Sequence, residues 1–294
     1  MIEIPESMTI TRELNETIKG KKIVGVVTNH SPHKFAFFYE DPKDYSDLLK
    51  GKSIYEVNSY GGQVVIIAKT KNVKTESTEI EDPKTDDEDV LISLSDDAQI
   101  RYIATDEDIP EKNQLLITFE DDSSLVASAR MYAQLHVARV NEYDSEYYEA
   151  AKVKPSPISD DFDMKYFKSL LDEVRPTTSV KAFLATKQRI PGLGNGTLQD
   201  ILYNAKIHPK SKVKKLSNKQ IEDLFNSVKN TLKAMTEKGG RNTEKDIFGN
   251  FGGYEVILSP KTFKNQCPCG GKINKESYLG GTIYYCLNCQ KLEV

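Results

Sequence analysis

Four cysteines, Cys267-Pro-Cys269 and Cys286-Leu-Asn-Cys289, lie within 23 residues near the end of the chain and are all the cysteines it has. Thiolates paired at such spacing can close a tetrahedral zinc site, whose metal substitutes for a core too small to form unaided. Two disulfides are the competing reading. The rest of the chain reads as cytosolic, where thiols stay reduced, and that favours structural Zn2+. Four protein ligands leave no open position, so such a metal does no catalysis. The first pair is C-x-C, one residue shorter than the usual knuckle, which tightens that ligand turn.

Two further groups of residues carry chemical potential. Gly192-Leu193-Gly194-Asn195-Gly196 leads into a predicted helix. Glycines let a backbone approach a phosphate closely, and unpaired amides at a helix N-terminus favour an anion. Asn195 is placed to cap that helix and to donate. No strand precedes the glycines, so this is not a dinucleotide fingerprint; a structural corner between two helices is the alternative. At the start of the chain, Met1-Ile2-Glu3-Ile4-Pro5-Glu6 sets two carboxylates ahead of a helix. They can serve the helix dipole. Alternatively, they can act as general acid and base beside the chain's own α-amine, whose ordinary pKa lies near 8. His30 and His33 lack a third ligand nearby. Tyr143, Tyr147 and Tyr148 could stack on bases or pack inside the fold.

The elements that must position these residues follow from the hydrophobic period. Apolar residues at helical spacing predict a helix over Pro5–Lys19, stopped by Gly20. Short runs rich in Val, Ile, Phe and Tyr then predict strands at 22–29, 35–39, 53–60, 63–69, 90–94, 99–105, 114–120 and 124–128, the pattern of an all-β sandwich or barrel. Thr75–Asp89 is acidic and reads as a mobile hairpin loop. A proline-containing, aperiodic stretch at Lys152–Asp161 marks a domain boundary. Beyond it the pattern is helical: an apolar face from Phe162 to Val174, a short helix Ser179–Ala185, a helix Thr197–Ala205, and a long helix opened by the capping box Ser217–Gln220. The resulting division is 1–150, 151–240 and 241–294, the last holding the loop 238–254 as a lid and the cysteine module. The fold class is α+β and multidomain.

With 38% hydrophobic and 29% charged residues in 294, the chain has the composition of a globular protein of about two domains. It has no apolar stretch long enough to span a membrane. Its net charge of −4 conceals an asymmetry. Residues 1–150 hold 16 basic and 30 acidic side chains, a net of −14, and residues 151–294 hold 24 and 14, a net of +10. The basic half is a candidate polyanion-binding surface; a solvated lysine-rich face is the plainer reading.

These pieces in this order resemble the formamidopyrimidine-DNA glycosylase/endonuclease VIII family over essentially the whole chain. The matching residues are Glu3-Ile4-Pro5-Glu6, Pro157-Ile-Ser-Asp-Asp161-Phe162, Gly192-Leu-Gly-Asn195, Ile207-His-Pro209, and the four-cysteine finger ending in Gln290. The resemblance implies a β-sandwich behind an N-terminal helix, then a helix–two-turn–helix domain with a C-terminal zinc hairpin, with duplex DNA held between the two. It implies extrusion of a damaged nucleotide, attack on the sugar C1′ by an N-terminal proline amine, and strand cleavage through a Schiff base. The chain departs from that pattern: Ile2 stands where the proline is expected, and Met1 is expected to be kept. The nucleophile implied is the α-amine of Met1, or of Ile2 after processing, with Glu3 and Glu6 matching the family's carboxylates. The hairpin lysine is replaced by Gly62 or Gln63, and the finger arginine is missing from Leu279-Gly280-Gly281-Thr282. DNA contacts are implied at Lys187, Arg189, Gly192, Gly194 and Asn195. Leu94, Met131 and Tyr132 are implied as the residues that fill the gap in the duplex. The expectation is a cytoplasmic monomer that binds damaged or abasic double-stranded DNA, either as a glycosylase/AP lyase or as an inactive DNA-binding homologue. A zinc-stabilised protein-interaction module is a third reading.

Overall fold

A computed structural model describes residues 1–70 and 88–293. Most of the acidic run expected to form a hairpin loop, 75–87, lies outside them. The described residues form two compact units. Among the described residues, the first comprises 1–2, 7–70, 88–146 and 245–250, and the second 3–6, 147–244 and 251–293. Helix α1, Ile4–Thr17, therefore gives its first residues to the second unit and the rest to the first.

The first unit is built on a seven-stranded sheet: β1 Ile23–Thr28, β2 Ala36–Phe38, β3 Ser53–Tyr60, β4 Gln63–Lys69, β5 Val90–Ile103, β6 Leu115–Phe119 and β7 Ser124–Arg139. Their order is β1-β6-β7-β5-β4-β3, with β2 added in parallel to β7. The alternation that predicts separate strands at 90–94 and 99–105 belongs to one strand, β5, which changes register at a bulge. Asp96 lies opposite Ala133 and Ala98 opposite Ala129. Asp97 alone thus faces Arg130, Met131 and Tyr132, which break the alternation and carry β7 well past Ser128. A bulge of this kind bends a strand and redirects side chains. Beneath the sheet, Ile10 and Leu14 of α1 join Ile66, Ile92, Ile117, Phe119 and Leu135 in one fully buried core. A short helix, α2 Tyr45–Leu49, buries Tyr45 and Leu49 against it.

The second unit is helical: α3 Glu146–Val153 (its first residue counted with the first unit), α4 Met164–Asp172, α5 Val180–Ala185, α6 Asn195–Asn204 and α7 Asn218–Glu237. The helix α3 falls in a tyrosine-rich stretch without clear periodicity, and it buries Tyr148. Between α5 and α6 the chain makes two successive turns, helped by positive φ at Lys187, Gln188 and Gly192. Ser217 and Gln220 form the expected reciprocal capping box at α7. A hairpin of β8 Ile273–Tyr278 and β9 Gly281–Cys286 closes the unit. It is fastened to α6 by Gln199, whose side-chain amide donates to Thr282 O at 3.0 Å and accepts from Tyr284 N at 3.0 Å. Among the described residues no helix is long and apolar enough to cross a membrane.

Candidate functional site

Helix α6 starts at Gly194, which has no side chain to cap it. Its first amides are nevertheless satisfied, because Glu3 supplies the anion. The Glu3 carboxylate accepts from Gly194 N at 3.2 Å, Gly196 N at 2.8 Å and Thr197 N at 2.8 Å. A carboxylate there meets both the unpaired amides and the positive end of the helix dipole. The expectation that these amides cradle a phosphate is therefore corrected: they hold a carboxylate of the same chain. Asn195 does not cap the helix. Its side-chain amide donates to Thr282 O at 3.0 Å, and its Oδ1 is buried without a partner among the described residues. The glycines allow the close approach, since a Cβ at Gly194 would lie 2.6 Å from the Glu3 carboxyl carbon.

A residue without any sequence signal completes this cluster. Arg241, 3% exposed, follows Gly239-Gly240 at the end of α7. Its Nε and Nη2 donate to the two Glu6 oxygens at 2.9 and 2.8 Å, and its Nη1 reaches Glu3 at 3.4 Å. The Arg241 backbone N–H also donates to Glu6, as does that of Glu3. Burial works against the guanidinium charge, but Glu3 and Glu6 outweigh it and raise its pKa above the ordinary value. A Cβ on Gly196 would lie 1.5 Å from Arg241 Nη1, so only glycine fits. Arg241 and Tyr254 are bridged, and Asn242 N donates to Tyr254 O at 2.8 Å. The ends of the expected lid loop are thereby tied together. Asp200 of α6 anchors the chain just beyond, accepting from Ile257 N and Leu258 N at 2.9 Å each. Beside Asn195, Gly196 and Arg241 opens a cavity of about 460 Å³, walled also by Glu244, Phe251 and Tyr284.

In the first unit, the bulge in β5 receives the start of the chain. The α-amine of Met1 pairs with Asp97 at 2.9 Å, and Arg130 approaches the same carboxylate at 3.6 Å. The Ile2 N–H donates to Asp96 O at 2.6 Å, and the Ile2 side chain is buried. Asp96 sits at φ 59° and accepts from Gln134 at 2.9 Å. Its carboxyl is pushed up chiefly by burial and by Asp97; Gln134 and the α-amine oppose the shift. Neither Asp97 nor Arg241 is marked by period or motif in the sequence.

The remaining candidates divide by exposure. Lys187 is exposed. Arg189 donates to Ala182 O at 3.1 Å and Thr186 O at 3.2 Å, which makes it a C-terminal cap for α5. Met131 and Tyr132 stand exposed at the bulge, and Tyr132 stacks on Phe37 with ring centroids 6.4 Å apart. Leu94 is fully buried in the sheet, so the expectation that it fills a gap in a duplex is corrected. Tyr143 and Tyr148 are buried as packing residues, and His136 has its pKa lowered to about 4 by burial.

Cys267, Cys269, Cys286 and Cys289 bring their sulfurs within 4.8 Å of one another. The separations of 3.7 Å for Cys267–Cys289 and 3.5 Å for Cys269–Cys286 are far beyond the ~2.05 Å of a disulfide. They approach the roughly 3.8 Å edge of a tetrahedron with metal–sulfur bonds of about 2.3 Å. Burial opposes the Cys267 thiolate, yet the hydrogen bonds of Tyr203 and the neighbouring cysteines prevail and lower its pKa to about 6. The surrounding core is small, with Leu258, Ile273 and Tyr284 its main members. The donor set fits a metal ion.

The profile of the formamidopyrimidine-DNA glycosylase H2TH domain matches residues 153–246, a span from the end of α3 past Arg241. The similarity continues outside it. The chain is 26% identical to the formamidopyrimidine-DNA glycosylase of Bacillus licheniformis, covering 99% of this chain and 100% of that one. It is 23% identical to the Lactobacillus johnsonii protein of the same name, covering 99% of each. The chain is similar to formamidopyrimidine-DNA glycosylases along nearly its whole length, with the H2TH domain matched at 153–246. The fold agrees. A solved complex of the Lactococcus lactis Fpg with abasic-site DNA matches with a TM-score of 0.77 at 21% identity, over 98% of this chain and 99% of that one. Another, of the same Fpg with DNA containing Fapy-dG, matches with a TM-score of 0.77 at 23% identity, over 98% and 100%. The arrangements that bear on chemistry are the Glu3–Arg241–Glu6 cluster and the Asp97-bound α-amine.

Proposed function

We propose that the protein is a base-excision DNA glycosylase/AP lyase that binds damaged or abasic double-stranded DNA as a monomer, in the cytoplasm. The observation that carries this reading is the similarity to formamidopyrimidine-DNA glycosylases along nearly the entire chain, together with a fold shared with an Fpg bound to abasic DNA. In this reading the α-amine at the start of the chain is the nucleophile, since a primary amine can form a Schiff base with the C1′ aldehyde of an abasic site. Glu3 and Arg241 fix the loop ahead of α6. The cavity beside Gly196 and Arg241 is in the size range of small-molecule sites and has apolar walls at Phe251 and Val256, which suits an extruded base. Exposed Lys187, Met131 and Tyr132 are the candidate DNA contacts. The four cysteines hold Zn2+, which stabilises the hairpin and its link to α6 without entering the reaction.

A second reading, an inactive damage-binding homologue, is favoured by Glu3 itself. Its two oxygens already accept four hydrogen bonds, from Gly194, Gly196, Thr197 and Arg241, which leaves little room for acid/base duty. Borohydride trapping on an abasic duplex separates the two, using untagged protein. A covalent adduct that vanishes when the α-amine is blocked supports the lyase. Binding without an adduct supports the inactive homologue, and absence of binding refutes both. If Glu3→Gln traps at the wild-type rate, Glu3 is no proton-transfer group.

A further inference from the structure

The bulge in β5 does something that strand pairing does not require: it takes Asp97 out of register and turns its carboxylate onto the α-amine of Met1, 2.9 Å away. Next to it, the Asp96 carbonyl fixes the following peptide through Ile2 N–H. The amine is thus held from two adjacent residues of one strand, and the buried Ile2 side chain prevents the terminus from swinging. The charged groups around the amine are Asp97 and Asp96 on β5 and Arg130 on β7, which balances the Asp97 charge at 3.6 Å. The Asp97 side chain is 15% exposed, largely sheltered yet not sealed from solvent.

We propose that Asp97 is the proton acceptor for the Met1 α-amine in imine formation, a role that rests on the lyase reading above. The ammonium gives its proton to the Asp97 carboxylate, and the freed nitrogen lone pair attacks the C1′ aldehyde carbon of the open-chain abasic sugar. The carbonyl electron pair passes to oxygen, and a water molecule relays one of the remaining nitrogen protons to that oxygen, giving the neutral carbinolamine. The protonated Asp97 then returns its proton to the departing hydroxyl, so water leaves and the C=N+ bond of the iminium forms. No oxidant, reductant or further reactant is needed. Asp97 thereby supplies the proton transfer, and the bulge supplies its aim.

The test follows the rate of borohydride trapping against pH for the wild type, Asp97→Asn and Asp97→Glu, each checked for an unchanged Tm. General-base action predicts that Asp97→Asn lowers the plateau rate about 100-fold and that Asp97→Glu restores part of it. An Asp97 that only pairs with the amine gives a different result: the acid limb moves to lower pH and the plateau stays, which overturns the proposal. A second arm uses glycolaldehyde with cyanoborohydride, read by intact mass and peptide mapping. The Met1 amine is expected to be alkylated in an Asp97-dependent manner with no DNA present. If that holds while abasic DNA gives no adduct, the lyase reading fails and the amine–Asp97 pair stands. An adduct on a lysine, or a mature chain that begins elsewhere than Met1, overturns the proposal.

Discussion

Replacing Arg241 with methionine keeps the side-chain length but removes the charge between Glu3 and Glu6. The variant loses two short charge-assisted hydrogen bonds to Glu6 and a longer one to Glu3. Each short bond contributes about 1.5–3 kcal/mol. The larger effect is what remains, two neighbouring carboxylates that are 2% and 4% exposed and have lost their cation. Removing one partner from a buried ion cluster costs about 3–5 kcal/mol. We therefore expect a loss of about 4 kcal/mol, and a Tm lower by roughly 8–16 °C at about 2–4 °C per kcal/mol for a unit of this size. Urea denaturation followed by circular dichroism reads the free energy, and calorimetry reads the Tm. Adding Glu6→Gln to Arg241→Met should recover about 2 kcal/mol relative to additivity, because the two residues touch. A single variant within 1 kcal/mol of wild type, or strict additivity in the pair, refutes the picture of a buried cation holding two carboxylates.

Other consequences can be measured independently. Burial raises the Asp200 carboxyl to about 6 against the hydrogen bonds of Ile257 and Leu258, so the folded state binds its proton more tightly than the unfolded chain does. Stability from this group is complete below about pH 4 and is lost as pH rises through 6, by about 3 kcal/mol in all; Asp200→Asn should flatten that part of the urea-midpoint profile. Elemental analysis should find one zinc per chain, and chelation should lower the thermal transition of the second unit; a metal-free preparation with the same Tm contradicts the assignment. Duplex binding should weaken steeply between 50 and 200 mM salt as condensed counterions cease to be released, and a flat titration would count against phosphate contacts.

What could be read from the sequence depended on the range of each signal. The cysteine spacing, the Ser217–Gln220 capping box and the apolar face of α7 are local patterns, and the structure shows each of them. Strand β7 is legible only to Ser128 because Arg130–Tyr132 break the alternation at the bulge, and the same bulge splits the pattern of β5 in two. The glycines before α6 allow close approach of an anion, but that the anion is Glu3 and not a phosphate is beyond the reach of local pattern. Glu3 lies 191 residues away from Gly194 in the chain, and nothing local pairs them. Arg241 is one arginine in an aperiodic loop. Its importance comes from burial between two acids, a property that no window of neighbouring residues encodes.

The distance along the chain between Glu3 and its partners has a consequence during biosynthesis. Glu3 emerges from the ribosome among the first residues, whereas Arg241 is polymerised 238 positions later. At about 5–20 residues per second, the early carboxylate waits on the order of 10–50 s for its counter-ion. The Glu3–Glu6 segment can therefore complete its contacts only after most of translation is complete. Nascent chains arrested before codon 241 should leave the Glu3–Glu6 segment open to limited proteolysis, while full-length product should resist it.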